Sequence, residues 1–373
     1  MKNKPINSIY LVSELIPSGP INQALNIVSS FNPKDVNAII VTLFDEREES
    51  WIQKFRDKGI EIVQLHSSRK KFLNSKKQMI KLIKERDIDV VHSSGLSADL
   101  VNSMLGKHVA TVSTFRSHIS DLGERSNFIV RSISRNLYRY LMHKIKMIVG
   151  CSKSLASDMG KEIGRSCEMV QNGADIDHYM PLSDSEKSEL RKKLDIPITS
   201  MVYVTVGNLE PRKNMPLIVK AFNEINDDEL TLLIVGEGED RKVLEDLIQG
   251  KKNIKLIGKV NDPLPYYQVS DFLISSSLAE GLPNTVLEGM ACGLPCLLSD
   301  IGPHFEMLEY DQHAGMTFNR YDYKELAKLI KESTNWDIRL RSDKARKLIE
   351  NNLSKYCMAS KYAKLYKKAL EVK

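Results

Sequence analysis

Short runs of β-branched and other apolar residues recur along the chain, separated by segments whose apolar positions return every three or four residues. In the first half the runs predict strands at Ser8–Val12, Ala38–Leu43, Glu61–Leu65, Asp89–His92, Val109–Ser113, Met147–Gly150 and Glu168–Gln171. Between them, Gln23–Ser30, Lys76–Arg86 and Ser152–Ile163 carry the 3.6-residue period of helices. Near-continuous apolar strands alternating with helices imply a parallel sheet covered on both faces. After a polar stretch that reaches Ser200 the pattern restarts, with strands predicted at Met201–Val206, Thr231–Val235, Asn253–Ile257, Phe272–Ser275, Pro295–Ser299 and Gly315–Phe318. From about Tyr321 only helices follow, the last at Ser354–Val372. The expected architecture is α/β: two doubly wound, Rossmann-like domains, 1–178 and 179–353, facing across a cleft. The final helix, about 354–373, is expected to pack back on the first domain. Ligands of such sheets bind at the carboxyl ends of the strands.

A length of 373 residues suits two domains. No run of eighteen apolar residues is present to span a membrane, and the polar start, Met1 to Ile6, lacks the apolar centre of a signal peptide. The five cysteines, at 151, 167, 292, 296 and 357, form no zinc-like spacing; with no export signal they point to a reduced, cytoplasmic protein. Charge is unevenly placed. Residues 1–180 hold 26 Lys/Arg against 19 Asp/Glu, so the whole net charge of +6 originates in the first half. It concentrates at Arg69–Lys84 and Arg131–Lys146, where RSISRNLYRYLMHKIK interleaves Arg with Leu, Tyr and Met at helical spacing. Such a segment reads either as an amphipathic face on anionic lipid headgroups or as a solvated helix with snorkelling Arg stems. No nucleic-acid-binding motif accompanies the charge, so nucleic acid is not an expected partner.

The segment from Ser275 to Ala291, SSSLAEGLPNTVLEGMA, concentrates the candidate chemistry. A strand ends at the serines, Glu280 stands at its tip, Gly281 permits a tight turn, and Pro283 suits the first turn of a helix. The amides that follow, Leu282, Asn284, Thr285 and Val286, then lie at the positive end of a helix, which holds phosphate without a metal. One turn further in, Glu288 can accept two hydrogen bonds from vicinal hydroxyls such as those of ribose. A second group, Gly207-Asn208-Leu209-Glu210-Pro211-Arg212-Lys213-Asn214, ends the strand Met201–Val206 and carries two adjacent cations. Two Asp-x-Asp triplets, Asp87-Ile88-Asp89 and Asp175-Ile176-Asp177, sit at a strand entry and at the domain junction and are assigned no metal. No G-x-x-x-x-G-K-S/T, H-E-x-x-H or G-x-S-x-G motif is present.

The run EGLPNTVLEGMACGLP resembles the E-x7-E signature of family 4 glycosyltransferases, which are retaining, metal-independent enzymes of the two-domain GT-B fold. The resemblance is dense over 201–310 and extends as layout over almost the whole chain. It implies that Glu280 contacts hydroxyls of the transferred sugar, that Glu288 binds ribose, and that the amides of Leu282 to Val286 hold sugar or phosphate. The family shows G-R-L-x-P-x-K-N where this chain has Gly207 to Asn214, so Lys213 takes the Lys position, Asn208 replaces the Arg, and Arg212 is a candidate substitute. In Gly258-Lys259-Val260, main-chain groups near Val260 are implied to read the nucleobase, whereas the Gly236-Glu237-Gly238 turn only shapes a strand-to-helix link. In the first domain, Pro17-Ser18-Gly19-Pro20 resembles a loop that brings Gly19 against phosphate and acceptor. His118, with Arg116 beside it, occupies the region of a histidine that faces the sugar; His92 reads as structural, and His304 follows the motif strand within reach of the cleft.

What the resemblance implies is transfer of a hexosyl or N-acetylhexosaminyl unit from a nucleotide sugar, UDP ahead of GDP, to a hydroxyl of a growing, lipid-linked surface polysaccharide. No cofactor is implied. The partners are the nucleotide sugar, the carbohydrate or lipid-linked acceptor, and an anionic membrane surface meeting the basic first domain from the cytoplasmic side. Two other functions share some of these features: a non-catalytic nucleotide-sugar-binding subunit and a GT-B nucleotide-sugar 2-epimerase, the second opposed by the E-x7-E phrase. No G-x-G-x-x-G follows the first strand, which disfavours a dinucleotide oxidoreductase.

Overall fold

The computed structural model describes residues 4–119 and 128–371. The chain divides into two units, Met1–Gly173 with Lys355–Lys373, and Ala174–Ser354. Among the described residues thirteen strands form, each overlapping a predicted one. Unit 1 contains β1 (Ile6–Val12), β2 (Val36–Thr42), β3 (Ile62–Gln64), β4 (Val90–Ser93), β5 (Ala110–Phe115), β6 (Met147–Gly150) and β7 (Glu168–Met169). They make one sheet in the order β3-β2-β1-β4-β5-β6-β7, every pairing parallel.

Burial on both faces follows from the period-two alternation of side chains along each strand. On β1, Ile9 and Leu11 join the cluster beneath Met79, Ile83, Ala98 and Val101. Tyr10 and Val12 join the opposite cluster with Leu25, Ile27, Tyr362 and Tyr366. The helices Ser75–Glu85 and Leu96–Asn102 therefore cover one face, and Gly19–Val28 with Lys355–Glu371 covers the other. The terminal helix is part of the unit 1 core: Met358, Tyr362 and Tyr366 are almost fully buried. A polar web fixes it there. His92, fully buried, bonds Tyr366 Oη at 2.8 Å and Thr114 Oγ1 at 2.7 Å, and Thr114 bonds Tyr362 Oη at 2.9 Å. Burial lowers the pKa of His92 well below its ordinary value, so the imidazole is a neutral structural strut.

Unit 2 contains β8 (Met201–Val206), β9 (Leu230–Val235), β10 (Ile254–Gly258), β11 (Phe272–Ser275), β12 (Cys296–Ser299) and β13 (Gly315–Phe318). Their order is β10-β9-β8-β11-β12-β13, again parallel throughout. The order reverses between β8 and β11, which pair directly through Phe272↔Tyr203 and Leu273↔Val204. At such a reversal the loops leaving the two strands run to opposite faces and open a crevice between them. The loops after β8 and β11 are those that carry Lys213 and Glu280.

Candidate functional site

The β8 and β11 loops are stitched together before any ligand arrives. Leu278 N donates to Arg212 O at 2.8 Å, and Ser276 Oγ lies 2.9 Å from both Lys213 O and Asn214 O. Asn214 adopts a left-handed conformation (φ 51°), tolerated by Asn, and there the chain turns from Pro211–Lys213 into the helix Met215–Ile225. This turn aims Lys213 at the β11 tip. Its Nζ lies 2.6 Å from Glu280 Oε1, Arg212 Nη1 lies 3.0 Å from Glu280 Oε2, and Ser277 Oγ donates to Oε1 at 2.8 Å. Arg212 also binds Ala279 O at 2.8 Å and Glu210 at 2.6 Å.

The Glu280 side chain is only 9% exposed. Burial alone would raise its pKa, but Lys213 and Arg212, with the Lys213 and Ser277 hydrogen bonds, hold the carboxyl down at about 2. A depressed folded-state value gives stability that is complete above the ordinary value of 4.5 and is lost as pH falls towards about 2. Glu280→Gln is expected to flatten that acid limb in melting curves recorded between those values; an unchanged limb would remove Glu280 as its source.

Two glycines wall the Lys213 loop. A Cβ on Gly236 (φ 149°) would lie 1.8 Å from Gly207 O, and one on Gly238 (φ 159°) would lie 2.3 Å from Leu209 O. The β9 turn thus does more than join a strand to a helix: its backbone presses directly on the backbone that presents Lys213. Beneath the Glu280 loop, Ser299 Oγ donates to Ser277 O at 2.6 Å. His304 Nδ1 lies 2.8 Å from Ser299 O. His304 is fully buried, and burial lowers its pKa to about 4 despite the bond to Ser299, so it supports the β12 tip as a neutral ring. Arg320 adds a brace, with Nε 2.8 Å from Asp300 Oδ1 and Nη1 3.2 Å from Leu278 O.

The helix Asn284–Ala291 begins at Pro283 without a side-chain cap. Leu282, Pro283 and Val286 are buried, whereas Gly281, Asn284 and Thr285 are half-buried. Glu288 is 7% exposed, and Tyr267 Oη donates to its Oε2 at 3.2 Å. Burial, then the Glu288 charge, raises the Tyr267 pKa well above its ordinary value, so the phenol remains a donor. Asn208 is exposed at the β8 tip and Val260 is half-buried just beyond β10. Unit 2 therefore brings together Lys213, Arg212 and Glu280 in one cluster, with Glu288 at the far end of the same segment.

In unit 1, Gly19 opens the helix Gly19–Val28 and is exposed. His118 is half-buried and lines a recess of about 140 Å³ with Pro20, Ser94, Gly95 and Arg116. The Arg116 guanidinium turns inward, to Asn172 Oδ1 and to Tyr10 Oη at 3.4 Å. Asp87 of the first Asp-x-Asp triplet pairs with Lys4 at 2.5 Å and Asp89 Oδ2 accepts Asn7 N at 2.9 Å. In the second triplet, Asp175 Oδ1 accepts the amides of Asp177 and His178 at 3.2 and 3.3 Å.

Sequence reasoning did not find Ser276, Ser277, Ser299 or Arg320, and took the Gly236–Gly238 turn as local. The only signal was the serine run at the β11 end; nothing local marks Arg320, whose partners lie 20 and 42 residues away.

Comparison with known proteins agrees with this layout. Residues 186–355 match the model for glycosyl transferases group 1, and residues 22–178 match that for glycosyltransferase family 4. The UDP-Gal:α-D-GlcNAc-diphosphoundecaprenol α-1,3-galactosyltransferase of Escherichia coli is 32% identical over 160 residues, 40% of each chain. The N,N′-diacetylbacillosaminyl-diphospho-undecaprenol α-1,3-N-acetylgalactosaminyltransferase of Campylobacter jejuni is 23% identical over 89% of this chain and 94% of its own. Three relatives are spanned over only 60, 40 and 62% of their length. An Anabaena protein solved with UDP-glucose superposes with a TM-score of 0.81 at 17% identity, covering 97% of this chain and 100% of its own. The two family matches, one on each Rossmann-like unit of a GT-B fold, establish that the chain belongs to the group 1 and family 4 glycosyltransferases.

Proposed function

We propose that this glycosyltransferase moves a hexosyl or N-acetylhexosaminyl unit from a nucleoside diphosphate sugar, UDP ahead of GDP, to a hydroxyl of a growing lipid-linked polysaccharide. The observation that carries the reading is the Lys213–Glu280–Arg212 cluster at the β8/β11 reversal, beside an uncapped helix start. A nearly buried carboxylate held ionised between two cations is a rigid, charged acceptor for sugar hydroxyls. Lys213 supplies positive charge where a diphosphate leaves, and the amides from Leu282 to Val286 add the helix-end field. Glu288, which accepts from Tyr267 Oη, is the carboxylate that receives the ribose hydroxyls. Main-chain groups at Val260 receive the base. The E. coli relative's name includes UDP-Gal and the Anabaena structure holds UDP-glucose, which supports UDP. Diphosphoundecaprenol in two relatives' names supports a lipid-linked acceptor and a place on the cytoplasmic face of a membrane.

In the reaction the C1–O bond to the diphosphate breaks as the acceptor oxygen bonds C1. The acceptor attacks C1 on the same face from which the diphosphate departs, and its proton passes to a leaving phosphate oxygen; this front-face displacement retains configuration without a protein nucleophile or a metal. Screening a nucleotide-sugar panel by thermal shift tests the sugar donor. Glu288→Ala is expected to weaken nucleotide binding about tenfold or more, the scale of one charge-assisted hydrogen-bond pair. Glu280→Ala is expected to leave nucleotide affinity near wild type and to lower transfer. Equal nucleotide affinity in wild type and both variants would defeat the ribose assignment.

A further inference from the structure

Two firmly held backbones meet at Glu288. The first is its own helix, Asn284–Ala291, which lies so close to β11 that a Cβ on Gly289 would stand 2.4 Å from Leu273 Cδ1. Arg346 Nη1 donates to Ala291 O at 2.6 Å, where that helix ends. The second is the short helix Leu264–Val269, which carries Tyr267. At its start Asp262 Oδ1 accepts Leu264 N at 3.0 Å, and further along Gln268 Nε2 donates to Met180 O at 2.9 Å. At its end Arg191 Nε donates to Val269 O at 2.8 Å and Lys187 Nζ to Ser270 O at 2.6 Å. Hydroxyl and carboxylate are thus both presented from braced chain.

Tyr267 is fully buried, and its Oη donates to Glu288 Oε2 at 3.2 Å. Its ring meets Tyr179 edge-on with centres 6.0 Å apart, and Tyr179 meets His178 in the same way at 4.8 Å. His178 Nε2 lies 2.9 Å from Oδ2 of Asp262, the residue that accepts Leu264 N. Burial, then the Glu288 charge, pushes the hydroxyls of both Tyr179 and Tyr267 far above their ordinary pKa values. The carboxylate therefore faces an aromatic wall in which Tyr267 is a permanent proton donor. A ring that only filled the core would need no hydroxyl, since Phe packs alike and buries no polar atom. A glutamate side chain has several rotatable bonds, and a fixed donor selects one orientation before a ligand arrives.

Resting on the ribose assignment above, we infer that Tyr267 is a positioning residue whose hydroxyl holds the Glu288 carboxylate in the orientation that meets vicinal hydroxyls. The consequence is a choice of donor. The site takes ribonucleoside diphosphate sugars and discriminates against 2′-deoxy donors, those of deoxythymidine diphosphate included. A deoxyribose would set carbon against a nearly buried carboxylate where the ribose sets a hydroxyl, and the lost bond is not replaced by water. Tyr267 acts on this choice through Glu288.

Calorimetric titration of the full chain with UDP and 2′-deoxy-UDP tests it, with GDP and 2′-deoxy-GDP run in parallel. The wild type is expected to bind the ribonucleotide of its preferred base about tenfold or more tighter than the deoxy form. Tyr267→Phe removes one oxygen and leaves the ring. It is expected to weaken ribonucleotide binding about three- to tenfold and to change deoxynucleotide binding by less than about twofold, with unchanged circular dichroism. The ratio of the two affinities therefore shrinks, which a general loss of packing would not cause, since that weakens both alike. In a Glu288→Ala background Tyr267→Phe is expected to change neither affinity. A Tyr267→Phe protein with the wild-type ratio, or with equal losses on both nucleotides, overturns the positioning role; if Glu288→Ala still abolishes the ratio, the ribose assignment stands without it. A wild type with no preference, or a Glu288→Ala protein with the wild-type ratio, overturns the ribose assignment and this role together.

Discussion

Lys213→Ala is expected to lower kcat by about 10²–10³-fold, the loss seen when one fixed group that stabilises developing negative charge is removed. Two effects are superposed in that number, and they separate. Without Lys213, the 9% exposed Glu280 keeps only Arg212 and Ser277, so its charge becomes more costly and its pKa rises. A melting temperature lowered by several degrees is therefore expected alongside the rate loss. Lys213→Ala with Glu280→Gln removes the under-compensated charge and is expected to recover melting temperature but not turnover. Lys213→Arg is expected to recover part of kcat, because charge persists while the compact ammonium does not. If the double variant recovered turnover, Lys213 would matter only as a partner for Glu280, and the diphosphate role would fall.

Gly236→Ala is expected to have the other large effect, through a backbone collision rather than the loss of a charge. The added Cβ would lie 1.8 Å from Gly207 O, so one of the two loops must move. We expect unit 2 to be destabilised by about 1–3 kcal/mol, read as a lower melting temperature, together with a fall in kcat as the Lys213 loop is displaced. Gly250→Ala is the control. Gly250 has φ 76° but no atom within 4 Å of its Cβ position, so it carries the backbone strain without the collision. It is expected to lose about 1 kcal/mol and to keep full activity. Equal activity in the two variants would show that the Gly236 contact does not position Lys213.

Periodicity made the strands legible, since all thirteen predicted runs overlap strands and Met147–Gly150, Met201–Val206, Phe272–Ser275 and Gly315–Phe318 match end to end. The burial of β1 on both sides was equally readable, because Ile9, Tyr10, Leu11 and Val12 leave no polar face. Family words marked the Glu280–Glu288 segment and Lys213. What stayed hidden depends on contacts between loops far apart in the chain. The sequence shows Gly236 and Gly238 as a turn; only the fold reveals that the carbonyls of Gly207 and Leu209 press on them. Arg212 stood out as a candidate for the cation missing at Asn208, but its bonds to Glu280, Glu210 and Ala279 O were not legible. His304 could not be recognised as a buried strut, since a single imidazole after a strand reads alike whether it faces solvent or the Ser299 carbonyl.

The placement of Lys355–Glu371 in the first unit's core has a consequence for biosynthesis. Met358, Tyr362 and Tyr366, which close the cluster around Tyr10 and Val90, are translated only after the whole of unit 2. While the ribosome makes unit 2, the first sheet therefore has an open apolar flank and a His92 without its Tyr366 partner, so the usual order of amino-terminal domain first is blocked at its last step. Unit 2, whose residues are contiguous, can close its own core first. A nascent chain stalled before Lys355 would present a finished second domain tethered to an unfinished first one, a form suited to chaperone capture during synthesis.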